Sequence, residues 1–205
     1  MKQKPHLLPG KVYHIYTHAN GDENLFRSEE NYRYFLKKYQ QYIFPIAKTF
    51  AYCLMPNHIH LVVQFHPEKT VVKAAEHMKK RKTDAGSLSV SQLISRQFAL
   101  LFSAYTQALN KQTGRKGSLF IPNFKRKTIE DFSYFKSAVA YVHNNPVHHG
   151  FSDQPTDWLY NSYHDYLENL PTFVSREWTD RHFDGLIDFM DFHQEYMEPF
   201  RKEDF

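Results

Sequence analysis

The sequence predicts an α+β fold in which an antiparallel sheet carries helices packed on one face. Three observations predict it. Segments 11–18, 46–55 and 58–65 are rich in β-branched and aromatic residues, Pro56-Asn57 separates the last two as a hairpin turn, and apolar residues at helical spacing fill much of the remaining chain.

In 11–18 such residues occupy both alternating sets, so this strand is read as buried. Asn20-Gly21-Asp22 is a turn, and Ser28 is a candidate N-cap for a helix over 29–43, where Tyr32, Phe35, Leu36 and Tyr39 form one stripe and Pro45 stops the run. The hairpin follows. Residues 68–110 are helical in pattern but interrupted at Thr83-Asp84-Ala85-Gly86-Ser87, which predicts two helices with a flexible joint. Gly114 and Gly117 bracket a basic turn, 120–127 can form a strand or hairpin arm, and a helix over 130–144 is expected to end at Pro146. The expected division is one domain over 1–150 and an aromatic-rich extension over 151–205, with Trp158, Tyr160, Tyr163 and Tyr166 and a helix over 183–197.

Composition narrows the class. A single cysteine, Cys53, excludes an internal disulfide framework and a multi-cysteine zinc site, and its place within a strand makes it a core residue. The chain has no apolar run of 18 residues, so a soluble, cytoplasmic protein without a membrane partner is expected. The 18 Phe and 14 Tyr can fill a core and still leave rings at the surface, and a net charge of +4 biases the chain mildly toward polyanions.

Pro56-Asn57-His58-Ile59-His60 is the strongest chemical signal. Two histidines two apart on a strand share a face and can chelate one cation, although by spacing alone an ordinary pair of core histidines is the more frequent reading. Tyr141 and Asn145 lie four apart on the predicted helix and share a face too, which offers a nucleophile beside a metal ligand. Taken alone they read equally well as a packed tyrosine and a residue constrained by Pro146.

Together these segments resemble a family. YCLMPNHIHLVV at 52–63 and YVHNNPV at 141–147, with VYHIYTHAN at 12–20 and WLYNSYHDYL at 158–167, resemble the REP-associated tyrosine transposases, which are single-tyrosine HUH nucleases, over about residues 8–168. The resemblance implies a ferredoxin-like HUH fold, His58, His60 and Asn145 as ligands of Mg²⁺ or Mn²⁺ rather than zinc, and Tyr141 as the nucleophile. It also implies cleavage and rejoining of single-stranded DNA through a 5′-phosphotyrosine link, at hairpin-forming repeats. The partner expected is single-stranded or hairpin DNA, and a homodimer is left open.

Phosphate contacts are expected from Lys79, Lys80, Arg81 and Lys82, from Lys111, Arg115 and Lys116, and from Lys125, Arg126 and Lys127. Two other functions use the same residues. One is a hairpin-binding protein that cuts nothing; the other is a phosphodiesterase in which water attacks and Tyr141 only packs.

Overall fold

The computed structural model describes residues 6–77, 88–168, 171–179 and 181–197. Strands β1 (Val12–His18), β2 (Ala47–Leu54), β3 (His58–Phe65) and β4 (Lys125–Ile129) form one antiparallel sheet in the order β2-β3-β1-β4. The hairpin closes at Pro56-Asn57, where the Met55 amide donates to the His58 carbonyl at 2.8 Å. Register sets Tyr16 against His60 and His18 against His58, and sets Lys125 against Tyr16 and Lys127 against His14.

Helix α1 (Glu29–Tyr42) buries Tyr32, Phe35 and Tyr39, the stripe read from its spacing. Ser28 is its N-cap residue but makes no side-chain capping bond. After α2 (Glu68–His77), helix α3 (Val90–Thr113) opens on a reciprocal capping box between Ser89 and Gln92. It stops at Gly114, whose φ of +69° is the left-handed conformation that glycine adopts without strain. Helices α1 and α3 pack with Tyr13, Ile15, Ile59, Leu61 and Val63 on one face of the sheet.

Helix α4 (Phe132–His148) covers the other face, where Ala138, Val139 and Val142 meet Cys53 and Val62. Helices therefore lie on both faces rather than on one. The cause is visible in β3, where Ile59, Leu61 and Val63 demand one apolar layer and Val62 a second. Pro146 does not end α4. The ring costs the helix one donor in its last turn, yet the backbone continues to His148 and the His149 amide donates to the Asn145 carbonyl at 3.1 Å.

Beyond residue 150 the chain returns along the outer edge of β2. The Leu54 amide donates to the Tyr160 carbonyl, the Ser162 amide to the Tyr52 carbonyl and the Ser175 amide to the Thr49 carbonyl, so this edge is capped against further strand pairing. Short helices α5 (Tyr163–Leu167) and α6 (Arg176–Thr179) follow, and α7 (Leu186–Glu195) docks against α4. Among the described residues no helix is long and apolar enough to cross a membrane.

Candidate functional site

The sheet's pleat fixes which side chains can meet. His58 and His60 of β3 project toward α4, and their register with β1 brings His14, Tyr16 and His18 onto the same face. Tyr141 descends from α4 onto this floor, with its ring edge-on to His14 at 5.7 Å and to His60 at 5.5 Å between centroids. Asn145, one helical turn later and fully buried, places Oδ1 2.8 Å from His58 Nε2. The four residues singled out in the sequence, His58, His60, Tyr141 and Asn145, thus lie in one cluster.

Burial controls the protonation of this floor. It lowers the pKa of His58 to about 4, against a partly compensating hydrogen bond to Asn145, and lowers that of His14 to about 3, with Lys127 adding to the effect. His60 is held well below its ordinary value by burial and by the surrounding histidines. These imidazoles are neutral near pH 7, the form in which a ring nitrogen can bind a cation. Burial raises the Tyr141 pKa, and the Asn145 amide beside it opposes the rise by favouring the phenolate, although no hydrogen bond of standard geometry reaches Asn145 Nδ2.

A neutral imidazole carries one N–H, yet both nitrogens of His58 face an amide oxygen. Nδ1 lies 2.7 Å from Asn57 Oδ1 while Nε2 lies 2.8 Å from Asn145 Oδ1. It can donate to only one of them. With Nδ1–H given to Asn57, the Nε2 lone pair confronts an oxygen lone pair, which a shared cation would stabilise and which rotation of the amide would otherwise relieve. Adjacent ligands of a six-coordinate cation with bonds of about 2.1 Å stand about 3 Å apart, close to this separation. The His60 ring is fixed through Nδ1, 2.9 Å from His14 Nε2, which leaves Nε2 as its ligand atom. Among the described residues no three His, Cys, Asp or Glu side chains are arranged to hold a metal ion; the set that fits a hard divalent cation is two imidazoles and one amide oxygen, with room for outside oxygens.

Sequence reasoning does not single out His14, Asn57 or His18 of this site. His14 orients His60, Asn57 orients His58, and the rings of His18 and His149 flank His58 at 4.8 and 4.7 Å. The alternation His14-x-Tyr16-x-His18 was the available signal, but the register that sets it beside His58 and His60 is a tertiary fact.

The basic runs separate. Lys79, Lys80, Arg81 and Lys82 lie outside the described residues. Arg115 is committed to the fold, since its guanidinium donates to both Glu23 carboxylate oxygens and to the carbonyls of Gly117 and Ser118. Lys111 and Lys116 are exposed. The run at 125–127 divides by the strand period. Lys125 lies over the Tyr16 ring and Lys127 over the Tyr134 ring on the Tyr141 side, while Arg126 lies over Phe124 on the other.

A second buried network braces α4 from behind. His143 Nδ1 is 2.8 Å from His193 Nε2, His143 Nε2 is 2.8 Å from Ser162 Oγ, and Asn144 Nδ2 donates to the His193 carbonyl at 2.7 Å. At the ends of the helix, Ser137 Oγ meets the Tyr196 hydroxyl at 2.7 Å and His148 Nε2 donates to the Tyr196 carbonyl at 3.0 Å. Residues of the C-terminal segment thereby fix the face of α4 that bears Tyr141 and Asn145.

Comparison with known proteins gives two findings. The chain is 28% identical over 119 residues to a Haemophilus influenzae protein provisionally named a REP-associated tyrosine transposase, an alignment that covers 57% of this chain and 59% of the relative. In fold it is similar to a solved REP-associated tyrosine transposase bound to a REP hairpin, with a TM-score of 0.54 and 16% identity over 85% of this chain and 90% of that one. No family model matches. The chain is therefore similar in sequence to one protein named as a REP-associated tyrosine transposase and in fold to another.

Proposed function

We propose that the chain is a metal-dependent enzyme that cleaves and rejoins single-stranded DNA at hairpin-forming repeats, in the cytoplasm, with Tyr141 as nucleophile and His58, His60 and Asn145 as ligands. The observation that carries this reading is the meeting of His58 and Asn145 directly beside Tyr141.

A tyrosine hydroxyl with a raised pKa is a poor nucleophile, so the site has to place it and assist loss of its proton. α4 holds the ring against His14 and His60, and the Asn145 amide favours the phenolate. His58, His60 and Asn145 would hold a divalent cation, Mg²⁺ or Mn²⁺, which would supply positive charge beside the oxygens of the scissile phosphate. Tyr141 Oη then bonds to phosphorus as the bond to the 3′ oxygen breaks; the tyrosine proton passes to solvent and the departing oxygen takes up a proton as a 3′-hydroxyl. One phosphodiester replaces another, so attack by a new 3′-hydroxyl rejoins strands without a nucleotide cofactor. Lys125 and Lys127 border the site where the flanking phosphates would run. The transposase names of the similar proteins support the same reading, and the REP hairpin in the solved relative supports DNA as partner.

Incubation with Mn²⁺ and hairpin oligonucleotides carrying single-stranded flanks should give a covalent protein–DNA adduct on denaturing gels, and Tyr141→Phe should abolish it while hairpin affinity changes less than a few-fold. Cleavage without an adduct would replace this reading with attack by water.

A further inference from the structure

A cavity of about 940 Å³ opens between α3 and residues 117–126, on the side of β4 away from Tyr141. It is at the upper end of the volume range of ligand pockets. Its floor is aromatic: the Phe102 ring lies 4.6 Å from that of Phe120 and 6.0 Å from that of Phe124. Its walls carry hydroxyl and amide groups of Ser95, Thr106 and Gln107 together with two guanidinium groups, Arg96 and Arg126, and among the described residues no carboxylate lines it. Arg126 is held over the Phe124 ring at 5.4 Å. Among the described residues nothing pairs with the Arg96 guanidinium in a hydrogen bond or ion pair.

Rings, hydrogen-bonding groups and positive charge are the chemistry that recognises unpaired nucleotides, through stacking, base edges and phosphates respectively. An acidic or zwitterionic ligand without bases would leave the aromatic floor unused. The position of the cavity adds an independent argument. β4 is the last strand of the sheet, and its alternation sends Lys125 and Lys127 to the Tyr141 side and Arg126 to the cavity side. One strand edge thus joins two positively charged surfaces.

We propose that this groove binds unpaired nucleotides of the same DNA molecule that is presented to Tyr141, with their bases over Phe102, Phe120 and Phe124 and their phosphates beside Arg96 and Arg126. The inference rests on the proposed function for the identity of the DNA, and it assigns to the opposite side of the sheet the task of choosing which single-stranded sequence is engaged.

The test is a binding measurement with EDTA present, so that nothing is cut. The full chain is titrated with a synthetic hairpin bearing a single-stranded tail of mixed sequence, and with the same hairpin lacking the tail. Wild type should bind the tailed form about tenfold tighter, a modest return for one or two stacked bases. Ser103→Trp, at an exposed position on the α3 wall, should remove that advantage without changing affinity for the tailless hairpin or the melting temperature. Arg96→Ala should reduce it in part, and is read alone if Ser103→Trp proves unstable. A tail that adds no affinity to wild type, or a tail effect that survives both substitutions, overturns the proposal. The adduct assay reports separately on Tyr141, so a lost tail effect without any adduct would leave the groove standing while the proposed reaction fell.

Discussion

His58 Nε2 and Asn145 Oδ1 stand 2.8 Å apart although 87 positions separate them in the chain. A β-strand and a helix end must both be in place before this pair exists, and each alone presents only a solitary donor. If the pair holds a divalent cation, His58→Ala should eliminate Mn²⁺ binding in calorimetry, and Asn145→Leu should do the same. Asn145→Asp should retain it, because a carboxylate supplies the oxygen with added charge. Equal Mn²⁺ affinity in wild type and Asn145→Leu would remove Asn145 from the ligand set.

His14 is assigned an indirect role, through the 2.9 Å contact that orients the His60 ring. His14→Phe keeps a buried aromatic ring and removes both ring nitrogens, Nε2 among them. Metal affinity should drop between about 10-fold and 100-fold, the usual effect of losing such a partner, while the fold, followed by circular dichroism, persists. An unchanged affinity would show that packing alone orients His60.

The buried histidines also make stability depend on pH. His58, His14 and His193 have folded-state pKa values of about 4, 3 and 3, all below the ordinary 6.5, and burial is the main cause in each. As pH falls below about 6.5 the unfolded chain takes up protons that the folded chain refuses, so stability present above that pH is lost progressively toward pH 4. At pH 5 the loss is about 2 kcal/mol for each such residue. Urea midpoints measured between pH 7.5 and 5 should fall steeply without metal, and a flat profile would mean that these rings are solvated.

Charge substitutions should separate DNA contacts from structural ones. Replacing Lys125 and Lys127 together by Ala should make the dependence of log affinity on log salt shallower by about 1.4 for single strands, roughly 0.7 for each phosphate contact. Arg115→Ala should leave that slope unchanged and lower the melting temperature instead, since Arg115 binds Glu23 and two loop carbonyls. A shallower slope in the Arg115 variant would return that residue to the DNA path.

Legibility in the sequence followed the range of the interactions. The hairpin, α1 and the His58/His60 pair are written in short-range periodicity, and the structure reproduces them. Helices on both faces, against an expectation of one, follow from the two apolar alternations of β3. The partnership of His14 with His60 was not legible, because a register shift of one residue would send His14 to the opposite face. Nor was the continuation of α4 past Pro146, since a proline normally marks a boundary and here it lies buried inside the last turn with one donor lost. Lys125, Arg126 and Lys127 looked like one patch only while the period of the strand was ignored.

The bracing of α4 by His193 and Tyr196 bears on when the protein can act. His143 depends on a partner made 50 residues later, and without it His143 Nδ1 and the Asn144 amide would lose their hydrogen-bond partners. A nascent chain that has already released Tyr141 from the ribosome therefore still lacks the partners that seat α4. Messages broken before codon 193 would yield a chain whose α4 lacks this brace, so the seating of Tyr141 waits until translation has passed the segment that supplies it.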